Sequence, residues 1–174
     1  LETGDATEVE SICEAADSID GPVYCRVLRG SVPRLFDTPI KVGEMRELAG
    51  GDDVLVVTSG IATEEALRAR DALSNAGVSI RHLHIHTIKP FNEQALLDHI
   101  GSVNKGVVVL ENHVIAGGVG SLVAEIMADN GVGKPLVRLG LNDTYAHGGS
   151  RGYLMKHYGL DAGALVRGIE RVMG

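Results

Sequence analysis

Two arginines three residues apart, Arg26 and Arg29, close an apolar run at residues 23–28 and stand just before Gly30. A guanidinium is planar and presents paired N–H donors that match anionic oxygens, so this pair suits a phosphate; the competing reading is a surface ion pair with Asp20 or Glu14. A second anion candidate is the loop Glu111-Asn-His-Val-Ile-Ala-Gly-Gly-Val-Gly-Ser121, where Gly117, Gly118, Gly120 and Ser121 open a helix and leave backbone N–H groups accessible. It lacks the dinucleotide-binding spacing, and glycines serving close helix packing explain it at least as well.

Other chemistry is weaker. His82, His84 and His86 alternate, which puts them on one face of one strand and invites a metal. Ligands in line on a single strand do not close a tetrahedral site, and His113 or Cys25 stand at no diagnostic spacing, so satisfied histidines are the simpler expectation. Gly131-Val-Gly-Lys134 fails as a phosphate loop, because Ala128 stands five before Gly133 and Pro135 follows Lys134. No strand-turn-helix nucleophile pattern surrounds Ser59 or Ser121. Cys13 and Cys25 lie among apolar residues and read as buried thiols.

These residues need elements to hold them. Apolar spacing predicts a helix over residues 7–19 and a strand over 23–28. Residues 31–51, with Pro33, Pro39 and little periodicity, read as a linker. Beyond it, strands at residues 54–57, 78–85, 106–110 and 136–139 alternate with helices at 62–76, 92–100, 120–130 and 161–173. Val- and Ile-rich strands each followed by a helix predict an α/β fold, a three-layer doubly wound and mostly parallel sheet over residues 52–174. The helix and strand of residues 1–30 cannot form a sheet alone, which predicts that they are a remnant of a neighbouring domain and that the chain is the inside of something longer.

With 174 residues there is room for one domain and a remainder. Apolar residues make up 44% of the chain and aromatics only 3%, so the core is aliphatic; two cysteines point to a reducing compartment. A net charge of -7 with scattered Lys and Arg argues against nucleic acid, and no apolar run is long enough for a membrane span.

Several stretches together resemble the transketolase family of thiamine-diphosphate enzymes. Gly4-Asp-Ala-Thr-Glu8 is similar to a helix start late in that family's pyrimidine-binding domain, and Gly21-Pro-Val-Tyr-Cys-Arg-Val-Leu-Arg-Gly30 to that domain's last strand. His86-Thr-Ile-Lys-Pro90, Glu111-Asn-His113 with Gly117-Gly-Val-Gly-Ser121, and Asp143-Thr-Tyr145 with Gly149-Ser150 resemble successive landmarks of its C-terminal domain. The resemblance covers nearly the whole chain and is nearest to the C-terminal subunit of split bacterial transketolases. Deoxyxylulose-phosphate synthases and the beta subunits of 2-oxoacid dehydrogenases share this terminal domain, but tend to carry a carboxylate followed by Glu-Gly or Gly-Gly where this chain has Glu111-Asn-His113.

The resemblance implies a complete enzyme that moves a two-carbon ketol unit between sugar phosphates, with thiamine diphosphate and a divalent cation such as Mg as cofactors. It implies that residues 1–30 are the tail of the pyrimidine-binding domain, 31–51 a linker and 52–174 the C-terminal domain, mainly a dimer scaffold. The cofactor site would lie elsewhere, in upstream domains or a separate N-terminal subunit, so that this chain alone binds no cofactor and is inactive. Arg29 falls where the family binds the substrate's terminal phosphate, and Arg26 three residues before it. A cytoplasmic homodimer is the expected setting. The rival reading is a non-catalytic module that uses the Gly117–Ser121 loop to bind an anion or a partner.

Overall fold

The computed structural model describes residues 1–174. The aliphatic runs of the second half form a five-stranded sheet: β1 (Arg46–Gly50), β2 (Val54–Ser59), β3 (Ile80–Ile85), β4 (Gly106–Val114) and β5 (Leu136–Leu141), in the order β1-β3-β2-β4-β5. β3, β2, β4 and β5 run parallel, and β1 lies antiparallel at the edge beside β3. Consecutive residues on β2 and β4 point to opposite faces. Val54, Val56, Val108 and Leu110 meet α2 (Ala62–Asn75) and α6 (Ala162–Met173). Leu55, Val57, Val107 and Val109 meet α3 (Glu93–Gly101) and α4 (Val119–Asp129) on the other side. Both faces are covered, which is why β2 is buried along its whole length and reads as a continuous apolar run.

Local sequence sets the helix boundaries. Asn92 caps α3 by accepting from the Ala95 N–H, and Asp161 caps α6 by accepting from the Ala164 N–H. Asp5 does the same for α1 (Ala6–Asp17), taking the Glu8 N–H at 2.8 Å. No helix is long and apolar enough to cross a membrane.

Three features depart from the sequence expectation. Residues 46–50, within the stretch read as a linker, are the edge strand β1. Residues 23–28 join no sheet; they make a single parallel bridge, Glu2 with Arg26. A short helix, α5 (Arg151–His157), follows the exposed stretch that holds Asp143 and Tyr145. The N-terminal segment rests on a small core of its own, Leu1, Ile12, Ala15 and Ile40.

Candidate functional site

From β2 the chain crosses through α2 to β3, and from β3 it passes over β2 to β4 on the far side. The carboxyl ends of β2 and β4 therefore flank the point where the connections diverge, the usual place for a ligand crevice in such sheets. Gly60, Ile61 and Asn112 line that crevice, and Glu2, Thr3 and residues 26–28 roof it, leaving a cavity of about 40 Å³. Thr3 Oγ1 is buried there without a protein hydrogen-bond partner.

The two arginines have different surroundings. Arg26 forms an ion pair with Glu2, not Asp20 or Glu14, and its Nη2 donates to the Asn112 carbonyl at 2.8 Å. That ties the N-terminal segment to the end of β4. Arg29 is exposed, follows directly on the crevice-lining Leu28, and takes part in none of the chain's ion pairs. Its positive charge is available to an anion from outside the fold.

The glycine loop is not open in the same way. Glu111, buried near the end of β4, accepts from the Val119 N–H at 2.7 Å and the Gly120 N–H at 2.9 Å, so the chain's own carboxylate sits on the positive end of α4. Burial pushes its carboxyl up from the ordinary value, against the two N–H bonds that lower it. A side chain on Gly118 would stand 2.1 Å from Glu111 Oε2, so the glycine makes room for that carboxylate. Ser121 Oγ accepts from the Gly117 N–H and donates to the Ile115 carbonyl, closing the loop on itself. Sequence reasoning identified the N–H groups and missed their partner; the available signal was an acidic residue at the end of the strand that feeds the loop.

The alternating histidines enter a buried hydrogen-bonded series. Thr58 Oγ1 lies 2.9 Å from His82 Nε2 and 2.8 Å from Thr63 Oγ1, and Thr63 Oγ1 lies 2.6 Å from His84 Nδ1. His84 Nε2 then meets Glu8 Oε2 at 2.9 Å, while Arg46 Nε donates to Glu8 Oε1 at 2.8 Å. Because a carboxylate only accepts, His84 donates through Nε2. Partnered by His84, Arg46 and the Gly4 N–H, the buried Glu8 carboxyl is held down at about 2 although burial alone would raise it. Burial lowers His82 to about 3 and, against the raising effect of the Glu8 charge, His86 to about 4, and His86 bonds Thr87 through Nδ1. No three His, Cys, Asp or Glu side chains are placed to hold a metal ion. Cys13 is exposed and Cys25 half-buried, both free, which corrects the expectation of two buried thiols.

A family model described as "Transketolase, C-terminal domain" matches residues 43–165. The chain is 34% identical over 157 residues to a Methanocaldococcus jannaschii protein named putative transketolase C-terminal section, covering 88% of this chain and 48% of that protein. It is 36% identical to a 6-deoxy-6-sulfo-D-fructose transketolase subunit of a Clostridium species, again covering 88% of this chain and 48% of the relative. With a 1-deoxy-D-xylulose-5-phosphate synthase of Parabacteroides distasonis it shares 32% identity, covering 88% of this chain but 25% of the relative. Among solved structures it superimposes with a TM-score of 0.91 on one described as "Split gene transketolase, inactive beta4 tetramer", at 31% identity, covering 98% of this chain and 56% of that one. The chain thus spans about half the length of the transketolase-type relatives.

Proposed function

The chain belongs to the transketolase C-terminal domain family, and on that premise we propose that it is the C-terminal part of a transketolase that moves a two-carbon ketol unit between sugar phosphates. In this reading residues 1–30 are the tail of the pyrimidine-binding domain, the connection ends before β1, and the C-terminal domain of a cytoplasmic homodimer runs from that strand to residue 174. Upstream domains, or a separate N-terminal subunit, supply the cofactor site. In support of that placement, the α4 N-terminus, where a diphosphate could sit, is taken by the chain's own Glu111. No catalytic step is therefore assigned to this chain.

What it contributes is binding. The observation that carries the reading to a substrate is Arg29, an exposed guanidinium without a partner in the fold. A phosphate held there, remote from the reacting carbonyl, supplies binding energy that orients the sugar. Arg26 supports the same stretch through Glu2 and Asn112, outside direct contact with the phosphate. In the complete enzyme, Arg29→Ala should raise KM for a phosphorylated ketose about tenfold or more, the worth of a charge-assisted hydrogen bond, and leave an unphosphorylated one nearly unchanged. Equal losses on both would remove the phosphate role.

A second reading rests on the relatives named 1-deoxy-D-xylulose-5-phosphate synthase, among them the 32% identical one. It predicts that pyruvate, not a ketose phosphate, is the donor, and a donor comparison separates the two. The anion-module reading is disfavoured, since Glu111 already holds the loop's N–H groups.

A further inference from the structure

Arg29 sits in a loop whose two ends are both fastened to residues 1–7. Before it, the Arg26 N–H donates to the Leu1 carbonyl at 2.8 Å and the Thr3 N–H to the Arg26 carbonyl at 3.1 Å. After it, the Ala6 N–H donates to the Pro33 carbonyl at 3.0 Å, and the Leu35 and Phe36 N–H groups both donate to Asp5 Oδ2. Placement of the guanidinium is thus inherited from the first seven residues. Those residues are in turn governed by Glu8. Its Oε2 accepts from the Gly4 N–H at 2.8 Å and from His84 Nε2, and its Oε1 accepts from Arg46. Glu8 and His84 are both completely buried. The contact is close-fitting: a Cβ on Gly4 would lie 2.6 Å from the His84 ring. His84 is itself oriented by Thr63 in the first turn of α2, and Thr63 by Thr58 on β2.

We propose that the Glu8–His84 clasp, braced by Thr63 and Arg46, positions Arg29, so that the α/β domain sets how the substrate's phosphate is held. This rests on the phosphate role proposed for Arg29. Neither Glu8 nor His84 touches substrate; both are positioning residues, and they give the α/β domain a part in substrate selection beyond scaffolding.

A merely structural clasp would affect all substrates alike, whereas a positioning clasp acts through Arg29. In the complete enzyme, His84→Ala should raise KM for a phosphorylated ketose about tenfold, with kcat and the constants for an unphosphorylated ketose within about twofold. His84→Gln, which keeps an N–H donor, should recover most of the loss. In an Arg29→Ala background, His84→Ala should change KM for the phosphorylated ketose no further. Equal effects on both substrates, or additive effects in the double variant, overturn the proposal.

Should His84→Ala fail to fold, Glu8→Gln takes its place, with amide hydrogen exchange of this chain as a readout independent of turnover. The Arg26, Leu35 and Phe36 amides should exchange at least about tenfold faster while those of residues 54–57 keep their protection. Unchanged exchange at all three also overturns the proposal. A complete protein without ketol transfer refutes the function proposed above, and the exchange measurement then decides the clasp alone.

Discussion

Glu111 is a buried carboxylate whose compensation is two backbone N–H groups and the end of a helix dipole. That arrangement tolerates no added atoms beside it. Gly118→Ala would press a methyl against the carboxylate and should lower stability by about 1–3 kcal/mol, read as a fall in the urea midpoint. Gly133→Ala, with nothing within 4 Å, should leave the midpoint almost unmoved. The histidines set the pH response. Unfolded, His82 and His86 take up protons near 6.5; folded, they refuse them until about 3 and about 4, so stability is complete above 6.5 and is lost as pH falls below it. Glu8 acts in the same direction lower down, its contribution present above 4.5 and lost toward 2. Between pH 7 and pH 4 the histidines alone should remove on the order of 5 kcal/mol, enough to bring a domain of this size near unfolding. Urea unfolding at a series of pH values would show it, and a flat profile from pH 7 to 5 would contradict it. In the sequence Glu8 stands out only by following Asp5 by three residues, the spacing of a capping box at a helix start. The structure keeps the Asp5 half of that box but sends the Glu8 carboxylate to Arg46 and His84, 38 and 76 residues away, separations that local spacing does not encode.

Among the elements, β2 and β4 were readable because burial on two faces demands unbroken aliphatic runs, and α2 because its apolar residues recur at helical spacing and Gly77 follows its end. β1 was not readable. Its residues, Arg-Glu-Leu-Ala-Gly, lie at the sheet edge with none fully buried, so tertiary pairing with β3, not side-chain pattern, makes the strand. Residues 23–28 erred the other way: an apolar run with β-branched residues, it finds only Glu2 as a bridge partner. The glycine-rich stretch before α5 likewise gave no periodic signal. The two cores predict different responses to cavities. Leu96→Ala, in the layer between α3 and the sheet, should cost about 2–5 kcal/mol and lower the midpoint of global unfolding. Ile12→Ala, in the four-residue core beneath α1, should instead speed amide exchange in α1 while the β2 amides keep their protection. A uniform loss of protection after Ile12→Ala would show that the N-terminal segment and the α/β domain unfold as one unit.

For the whole molecule, the doubly wound sheet, its carboxyl-end crevice and the N-terminal segment that roofs it form one arrangement. Two of the chain's own carboxylates, Glu2 and Glu111, border the strand ends where such folds often bind ligands, and Glu111 directly occupies a helix N-terminus there. Next to the crevice-lining Leu28, the exposed Arg29 is a cation in no ion pair of the chain and open to an outside anion. That fits the proposal that the chain, which spans about half of its transketolase-type relatives, supplies substrate binding to chemistry performed elsewhere. The most direct test joins the chain to the thiamine-diphosphate-binding domains or subunit that the proposal requires and follows transfer of a two-carbon unit from a ketose phosphate to an aldose phosphate. Cofactor-dependent transfer that loses its preference for phosphorylated substrate in Arg29→Ala is the predicted result. Absence of transfer from any ketose phosphate, or condensation of pyruvate in its place, would contradict the account.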